Sequence, residues 1–258
     1  MIGRDFTSCS DLSDFLKAFC IYRGINLNYF LINKNLPDFY IKRLSQYGFC
    51  IPAPENGDLD FPVSTHPDML AARVKNKLFI HASDIRLNST LSKLGASFTL
   101  SRTEISAKYP NDISLNLFCM GDKIFANEKY MSKEVKSFAT LSGMEIINVA
   151  QGYAKCSTML LRDAIVTADT SIYTAAKEHG IDSLLIAPGG IDIEKYDTGF
   201  IGGASASISD GKVAVFGDIS KHPDGYNIRD FAYKHDTEIV SLGSGNLFDY
   251  GGIVRFTA

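Results

Sequence analysis

The chain has 258 residues, of which 45% are hydrophobic and 21% charged, and its 26 Lys and Arg residues face 29 Asp and Glu residues for a net charge of −3. This composition excludes a disordered protein, because it supplies enough apolar surface to bury a core. The chain also lacks the excess of basic residues typical of nucleic-acid-binding proteins, and no apolar run approaches the ~18 residues that cross a bilayer.

The first 25 residues read as a peripheral segment that includes a helix over Leu12–Phe19. Acidic residues at Asp5, Asp11 and Asp14 interrupt the stretch that would be apolar in a signal peptide. We therefore expect a cytoplasmic protein with neither a membrane nor a nucleic acid as its partner. The oligomeric state stays open.

A strand, a helix and a second strand are predicted next, over Tyr29–Ile32, over Pro37–Tyr47 and in the segment FCIPAP after Gly48. Four copies of one longer series follow, each with a polar loop, an apolar strand, a tight turn, a second strand, a helix and a third strand. The turns carry Asn, Asp and Gly, which tolerate the positive φ of short hairpins. The four helices are predicted over Ser83–Leu94, Glu128–Ser142, Ser171–His179 and Tyr226–Lys234.

The end of the chain, NLFDYGGIVRFTA, is predicted to be one strand. Together with the elements that follow residue 28, it completes a fifth copy of the series. The predicted fold is therefore α/β, a five-bladed pseudo-fivefold ββαβ propeller whose N- and C-terminal strands pair and close the ring. Residues 26–258 would form this single domain. A doubly wound parallel sheet is the competing interpretation, but parallel strands need long crossovers and leave the hairpin turns unexplained.

In such a ring, the loop before the first strand of each copy faces the common axis. The polar residues at these places are His66, Asp68, Asp112, Cys156, Asp197 and Asp249. A thiol beside an imidazole can act as a nucleophile, and carboxylates in a narrow cavity suit a planar cation such as guanidinium. A second histidine in the same tripeptide, His222-Pro223-Asp224, leads into a helix and is expected to serve helix entry.

The five cysteines are odd in number, and their spacing matches no zinc motif. We expect no metal and no organic cofactor. Cys156 alone follows a Gly-containing loop, whereas Cys119 lies within a strand and is expected in the core. Cys9, Cys20 and Cys50 are expected to be structural.

Several of these segments resemble motifs of the pentein, or guanidine-modifying, superfamily, which includes arginine deiminases, dimethylarginine dimethylaminohydrolases and amidinotransferases. His66-Pro67-Asp68 is similar to the family's His-x-Asp motif. Gly152-Tyr153-Ala154-Lys155-Cys156-Ser157-Thr158 looks like its cysteine motif, and Asp249-Tyr250-Gly251-Gly252 resembles its acidic Gly-Gly motif. Asp197-Thr198-Gly199-Phe200 occupies the place of the family's Arg-Asp motif, although Tyr196 stands where the arginine would be.

The resemblance covers about residues 28–258, with the order of the motifs circularly shifted. It implies a five-bladed propeller and a deiminase-like hydrolase, or an amidinotransferase, that acts on a small guanidinium or amidinium compound. Cys156 would then be the nucleophile and His66 the acid and base. Asp68, Asp249, Asp197 and Asp112 would bind the substrate.

Two other functions stay open. A non-catalytic pentein could act as a binding module, as the ribosome anti-association factors do. The same ring could also bind a small cation without turnover. A serine hydrolase is disfavoured, because Gly243-Ser244-Gly245 lacks the spacing of a nucleophile elbow.

Overall fold

The computed structural model describes residues 28–257, which fold into a mixed α/β structure of several small sheets. Residues 1–25, with the predicted helix over Leu12–Phe19 and the two cysteines Cys9 and Cys20, lie outside this range.

The strands of the described part of the chain are β1 (Asn28–Asn33), β2 (Phe49–Ala53), β3 (Ala71–Val74), β4 (Lys77–His81), β5 (Phe98–Ser101), β6 (Phe118–Met120), β7 (Lys123–Ala126), β8 (Glu145–Asn148), β9 (Thr158–Leu160), β10 (Ala164–Thr167), β11 (Asp182–Leu185), β12 (Ile191–Asp192), β13 (Ser205–Ser209), β14 (Lys212–Val215), β15 (Glu238–Ser241), β16 (Leu247–Phe248) and β17 (Val254–Thr257). The α-helices are α1 (Asp38–Leu44), α2 (Pro67–Leu70), α3 (Ile85–Lys93), α4 (Lys133–Leu141), α5 (Thr170–Glu178) and α6 (Gly225–Lys234). Short 3-10 helices cover Val63–Thr65 and Ile219–Lys221.

Five of the sheets have three strands and one topology, in which the middle strand is antiparallel to one neighbour and parallel to the other. In the sheet of β3, β4 and β5, Ala71 pairs with Ile80 across the hairpin, and Leu78 pairs with Phe98 across the parallel edge. A helix supplies the crossover that the parallel pair requires. This arrangement confirms the strand order predicted for the four complete copies.

The middle strands are largely buried, as β10 illustrates with all four of its residues buried. Each is covered on both faces, since a hydrophobic cluster lies between each sheet and the next. Leu87 and Leu91 of α3, for example, pack between the sheet that contains β1 and the sheet that contains β4. In each of the other four clusters a helix likewise packs between two sheets, and these helices are α6, α1, α4 and α5.

The two ends of the described chain meet in one sheet, in the order β17-β1-β2. Tyr29 of β1 pairs with Phe256 of β17, so the predicted pairing of the N- and C-terminal strands is confirmed. The single strand predicted for the end of the chain is wrong, because it is broken into β16 and β17. Gly251 and Gly252 between them adopt φ angles of 75° and 61°, which an extended strand does not permit.

Helices α3, α4 and α5 begin where a polar side chain caps them, and the cap shortens one predicted helix. The segment from Glu128 precedes the cap, and α4 begins only after Ser132, whose hydroxyl accepts a hydrogen bond from the N–H of Val135. The predicted helix ends at Gly95, Gly143 and Gly180 are confirmed, since all three glycines have positive φ. None of the helices within residues 28–257 is both long and apolar enough to cross a membrane.

Candidate functional site

Cys156 lies in the loop before β9, two residues ahead of the strand, and is 5% exposed. Its carbonyl oxygen accepts a hydrogen bond from the N–H of Gly203 at 3.0 Å, which joins this loop to the loop before β13. A Cβ atom at Gly202 would overlap the carbonyl oxygens of Lys155 and Thr158. Glycine is therefore required at position 202 for the two loops to meet beside the thiol.

The surroundings of the Cys156 thiol favour its protonated form. Burial raises the pKa of Cys156 well above its usual value, and the negative charges of Asp68 and Asp249 raise it further. The side-chain amide of Asn116 acts in the opposite sense, because it donates a hydrogen bond to Sγ at 2.9 Å. The free protein thus holds a neutral thiol between two carboxylates.

Asn116 connects the loop of Cys156 to that of Asp68. Its Oδ1 accepts from the backbone N–H groups of Lys155 at 2.8 Å and Cys156 at 3.2 Å, which fixes the orientation of the amide. Its Nδ2 faces the Cys156 sulfur and also the carbonyl oxygen of Asp68, at 3.2 Å. Asn116 was not among the site residues predicted from the sequence. It stands two positions before β6, as Cys156 stands two before β9, so alignment of the strand starts would have identified it.

Asp68 is the second residue of α2 and is 1% exposed. Neither oxygen of its carboxylate accepts a hydrogen bond from an N–H or O–H group among the described residues, and the Cys156 thiol is a weak donor beside it. Burial raises the pKa of Asp68 to about 6, against the opposing effects of Lys155, His66 and the Cys156 thiol. Buried carboxylates ordinarily have hydrogen-bond or cationic partners, so Asp68 is suited to receive a cation.

Asp249 faces His66, with 3.9 Å between Oδ1 and Nδ1. Its carboxylate is held by two backbone groups, since Oδ1 accepts from the N–H of Gly251 at 2.9 Å and Oδ2 from that of Phe200 at 2.8 Å. Both side chains are almost fully buried. An imidazole next to an oriented carboxylate is an arrangement that can transfer protons near neutral pH.

Two glycines leave the space that His66 and Asp249 need. A Cβ atom at Gly203 would overlap the carboxylate of Asp249, and one at Gly251 would overlap His66. Gly251 also accepts a hydrogen bond from the N–H of Asp68 at 3.2 Å through its carbonyl oxygen. The backbone at Gly251, in the loop that carries Asp249, therefore contacts the segment that carries His66 and Asp68.

The structure brings four of the sequence-predicted site residues together, namely Cys156, His66, Asp68 and Asp249. Asp112 stands apart from them, and its Oδ2 accepts from the hydroxyl of Tyr153 at 2.6 Å. Burial raises the pKa of Asp112, and burial together with this hydrogen bond raises the pKa of Tyr153.

Asp197 lies exposed in the loop between β12 and β13. That loop nevertheless reaches the site two residues later, because Gly199 packs against Asp249. The structure thus brings the loop of Asp197, rather than its side chain, into contact with the four residues.

Aromatic side chains enclose the thiol. Tyr153 and Phe200 pack on the hydrophobic cluster that contains Cys156, and their ring centroids are 6.1 Å apart. The ring of Tyr109, half-exposed, is 5.8 Å from that of Tyr153. The residues that would carry chemistry are thus shielded from water, which strengthens electrostatic interactions among them.

The remaining sequence predictions concern residues outside this cluster. His222 precedes α6, as expected, and its Nδ1 accepts from the N–H of Asp224 at 3.0 Å. Cys119 was expected in the core but is only partly buried, and burial raises its thiol pKa to about 12. Within residues 28–257, no three His, Cys, Asp or Glu side chains are grouped so as to hold a metal ion.

The fold is similar to that of solved dimethylarginine dimethylaminohydrolases. One is an adduct with 4-chloro-2-hydroxymethylpyridine, which has a TM-score of 0.55 and 8% sequence identity over 90% of this chain and 100% of the other. A histidine-to-glycine variant, as an adduct with S-methyl-L-thiocitrulline, has a TM-score of 0.56 with the same identity and coverage. A cysteine-to-serine variant from Pseudomonas aeruginosa, complexed with citrulline, has a TM-score of 0.52 at 8% identity over 90% and 99% of the two chains.

These similarities show that the chain has the fold of the solved dimethylarginine dimethylaminohydrolases. A search of curated proteins by sequence finds no match. A model of a protein family does match, over residues 31–254, which is most of the chain. The chain therefore belongs to the family described as a family of unknown function, DUF6873.

Proposed function

We propose that this protein is a cysteine-dependent hydrolase that acts on a small guanidino or amidino compound. The observation that carries the proposal is the buried carboxylate of Asp68, which has no N–H or O–H donor among the described residues and has the Cys156 thiol as a hydrogen-bonding neighbour. A planar guanidinium satisfies two carboxylate oxygens with two parallel N–H donors. Its central carbon would then lie near the sulfur, where a nucleophile is useful.

The electrostatics of the site make the activation of the thiol depend on the bound cation. Without it, burial and the carboxylates of Asp68 and Asp249 raise the pKa of Cys156 and disfavour the thiolate. A guanidinium between these groups offsets both negative charges and stabilises a neighbouring thiolate. The free protein would therefore be unreactive toward neutral electrophiles and selective for cationic ones.

The reaction would proceed in two displacements. Once the cation is bound, the Cys156 thiol gives its proton to His66, and the thiolate attacks the central carbon. The tetrahedral adduct expels ammonia or an alkylamine, which takes that proton from His66, and a thiouronium remains on the sulfur. Neutral His66 then removes a proton from water, and the resulting hydroxide adds to the same carbon. The C–S bond breaks, the sulfur takes the proton back from His66, and the hydroxyl proton of the adduct passes to the released amine. The products are a urea and an ammonium ion, and the thiol is restored.

Asp249 would hold His66 in the orientation that these proton transfers need, as well as contribute to the binding of the cation. The backbone donors of Gly251 and Phe200 fix its carboxylate, which supports a positioning role. Asp112 would act through the hydroxyl of Tyr153, and Asp197 would bind substrate only if its exposed loop moved. A second amine in place of water would give the amidinotransferase variant of the same chemistry.

We also infer that the five sheets form one closed ring in a single domain over residues 26–258. The five hydrophobic clusters support this arrangement, because the last of them lies between the sheet of β13 to β15 and the sheet that contains both chain ends. The loops before the first strands then converge at one end of the ring, which is where the four polar residues lie together.

Turnover of a panel of guanidines and amidines tests the proposed activity. We expect a ureido product and one equivalent of amine from at least one member of the panel, and we expect Cys156→Ser to abolish both. Cys50→Ser is the matched control, since this partly buried cysteine lies in β2, away from the four residues. Saturable binding of a guanidinium without product would favour a cation-binding protein, and the absence of both would favour a binding module for another partner.

A further inference from the structure

A cavity with a volume of about 300 Å³ has none of the four polar residues in its lining. Its walls come from β3 and β17, with neighbouring contributions from β6, β9 and β13. Its polar lining includes Arg73, Lys75, Lys155 and Arg255. We call it the arginine cavity. The volume far exceeds the ~15 Å³ that one water molecule needs.

The strand geometry places the basic residues on one wall. Side chains alternate between the two faces of a strand, so Ala71 and Arg73 of β3 point to the same side, and Lys75 follows in the turn. Strand β17 packs beside β3 and contributes Arg255. The two guanidinium groups therefore come from neighbouring strands.

No acidic residue lines the arginine cavity among the described residues. Neither Arg73 nor Arg255 has an ion pair within residues 28–257, whereas Arg162 lies 3.8 Å from the carboxylate of Asp236. Arg73 donates through Nε to the carbonyl oxygen of Lys75, and the buried Nε of Arg255 has no hydrogen-bond partner among the described residues. The pKa of Arg73 is lowered by burial and by the charge of Arg255. The positive charges of Arg73 and Arg255 thus lie near each other, and no carboxylate among the described residues is paired with either.

The cavity opens to a groove on the surface. Arg73 and Arg255 line both spaces, and the groove has a volume of about 340 Å³. Arg162 and Lys212 also line it, but each is paired with a carboxylate, of Asp236 and Glu238 respectively, and Asp210 is its one acidic lining residue in the described part of the chain. A small anion has a path from solvent to the two arginines.

We propose that the arginine cavity binds a small tetrahedral dianion, either inorganic phosphate or the terminal group of a phosphomonoester. Two guanidinium groups offer the paired N–H donors that match phosphate oxygens. The dianion also relieves the repulsion between Arg73 and Arg255, and Lys75 and Lys155 lie on the same cavity. None of the four residues proposed for the reaction lines this cavity, although Lys155, which precedes Cys156 and lowers the pKa of Asp68, does.

Titration calorimetry with inorganic phosphate, and separately with glycerol phosphate, tests the proposal at constant ionic strength. We expect saturable binding to the full chain, and a loss of affinity of about tenfold or more in Arg73→Gln and in Arg255→Gln. Arg162→Gln is the matched control, and it should bind as the wild type does, because Arg162 belongs to the groove and is paired with Asp236. The two ligands distinguish a site for inorganic phosphate from a site for a phosphomonoester, since only the latter would bind glycerol phosphate more tightly than phosphate.

A stability measurement separates anion binding from a structural role of the arginines. In buffer without phosphate or sulfate, Arg255→Gln should leave the melting temperature unchanged or raise it, because it removes a like-charge contact. Phosphate should raise the melting temperature of the wild type but not that of the variant. Absence of saturable binding to the wild type, or an equal loss of affinity in Arg162→Gln, would overturn the proposal.

Discussion

The side-chain amide of Asn116 donates to the sulfur of Cys156 at 2.9 Å, while its oxygen accepts from the backbone N–H of the same cysteine at 3.2 Å. One asparagine thereby fixes both the backbone and the thiol of the candidate nucleophile. Its Nδ2 group lowers the thiol pKa, against burial and the two carboxylates of Asp68 and Asp249. We expect the reactivity of Cys156 to depend on the Asn116 amide more than on the side chains of the loop that carries Cys156 itself.

Replacement of Asn116 by Asp keeps the acceptor for the backbone but removes the donor to sulfur and adds a negative charge. We expect the pKa of Cys156 to rise further and its alkylation at neutral pH to slow by about tenfold or more, since one pKa unit corresponds to a tenfold change in thiolate. Mass spectrometry of the labelled protein measures the rate at each cysteine.

Asn127→Asp is the matched control for that variant. Asn127 also donates a single hydrogen bond through its amide, to the carbonyl oxygen of Ala150 at 3.2 Å, but it lies in another loop. Its replacement should leave the labelling of Cys156 unchanged. Equal rates in Asn116→Asp and in the wild type would show that the contact does not govern the thiol.

The buried carboxylate of Asp68 should make the folded protein less stable as the pH rises. Its pKa in the folded state is about 6, above the ordinary value of 3.8 that the unfolded chain has. The folded state therefore keeps this proton longer, and its stability falls between these two pH values. The difference amounts to about 2–3 kcal/mol at neutral pH.

Asp68→Asn should remove this penalty. Urea unfolding at pH 7.5 is expected to give a higher free energy of unfolding for the variant, and the gain should vanish near pH 4. Asp58→Asn, which changes an exposed carboxylate, serves as the control. A variant that is less stable than the wild type at pH 7.5 would indicate that Asp68 already has a stabilising partner.

Gly203→Ala should disrupt the site through packing alone. The added Cβ atom would overlap the carboxylate of Asp249, whose two hydrogen bonds to backbone N–H groups hold it in place. We expect a destabilisation of about 1–3 kcal/mol, as overpacking of a buried position usually gives. Thermal unfolding measures this effect. Gly245→Ala should be tolerated, because no atom lies within 4 Å of its added Cβ; equal losses in both variants would contradict the account.

Much of the fold was predictable because hydrogen-bonded turns and helix caps leave local signals. The glycines at helix ends and in the turn at Gly211 need positive φ, and the structure has it at each of them. The break between β16 and β17 was missed, because Leu247–Phe248 and Val254–Thr257 are both apolar enough to extend one strand. The positive φ of Gly251 and Gly252, and the pairing of β16 with β12, reveal two strands.

Residues of the candidate site could be predicted from the sequence where the side chain is itself nucleophilic, basic or charged. Cys156, His66 and two aspartates stand out in loops before strands, whereas Asn116 has no distinctive chemistry and was passed over in favour of Asp112. A carboxylate four residues earlier in the same loop appeared the better ligand for a cation. Which of the two reaches the thiol depends on the conformation of the loop, and the order of residue types does not determine it.

Paired alkylation rates at Cys156 test the central claim most directly. Chloroacetamidine and chloroacetamide share a leaving group and differ in charge, so the ratio of their rates isolates the effect of the cation. We predict a ratio well above that of Cys50 in the same protein, and a loss of this preference in Asp68→Asn, in which the rate with the neutral reagent rises because a carboxylate near the sulfur is gone. A ratio at Cys156 equal to that at Cys50, or a preference that survives Asp68→Asn, would contradict a cation site built on Asp68.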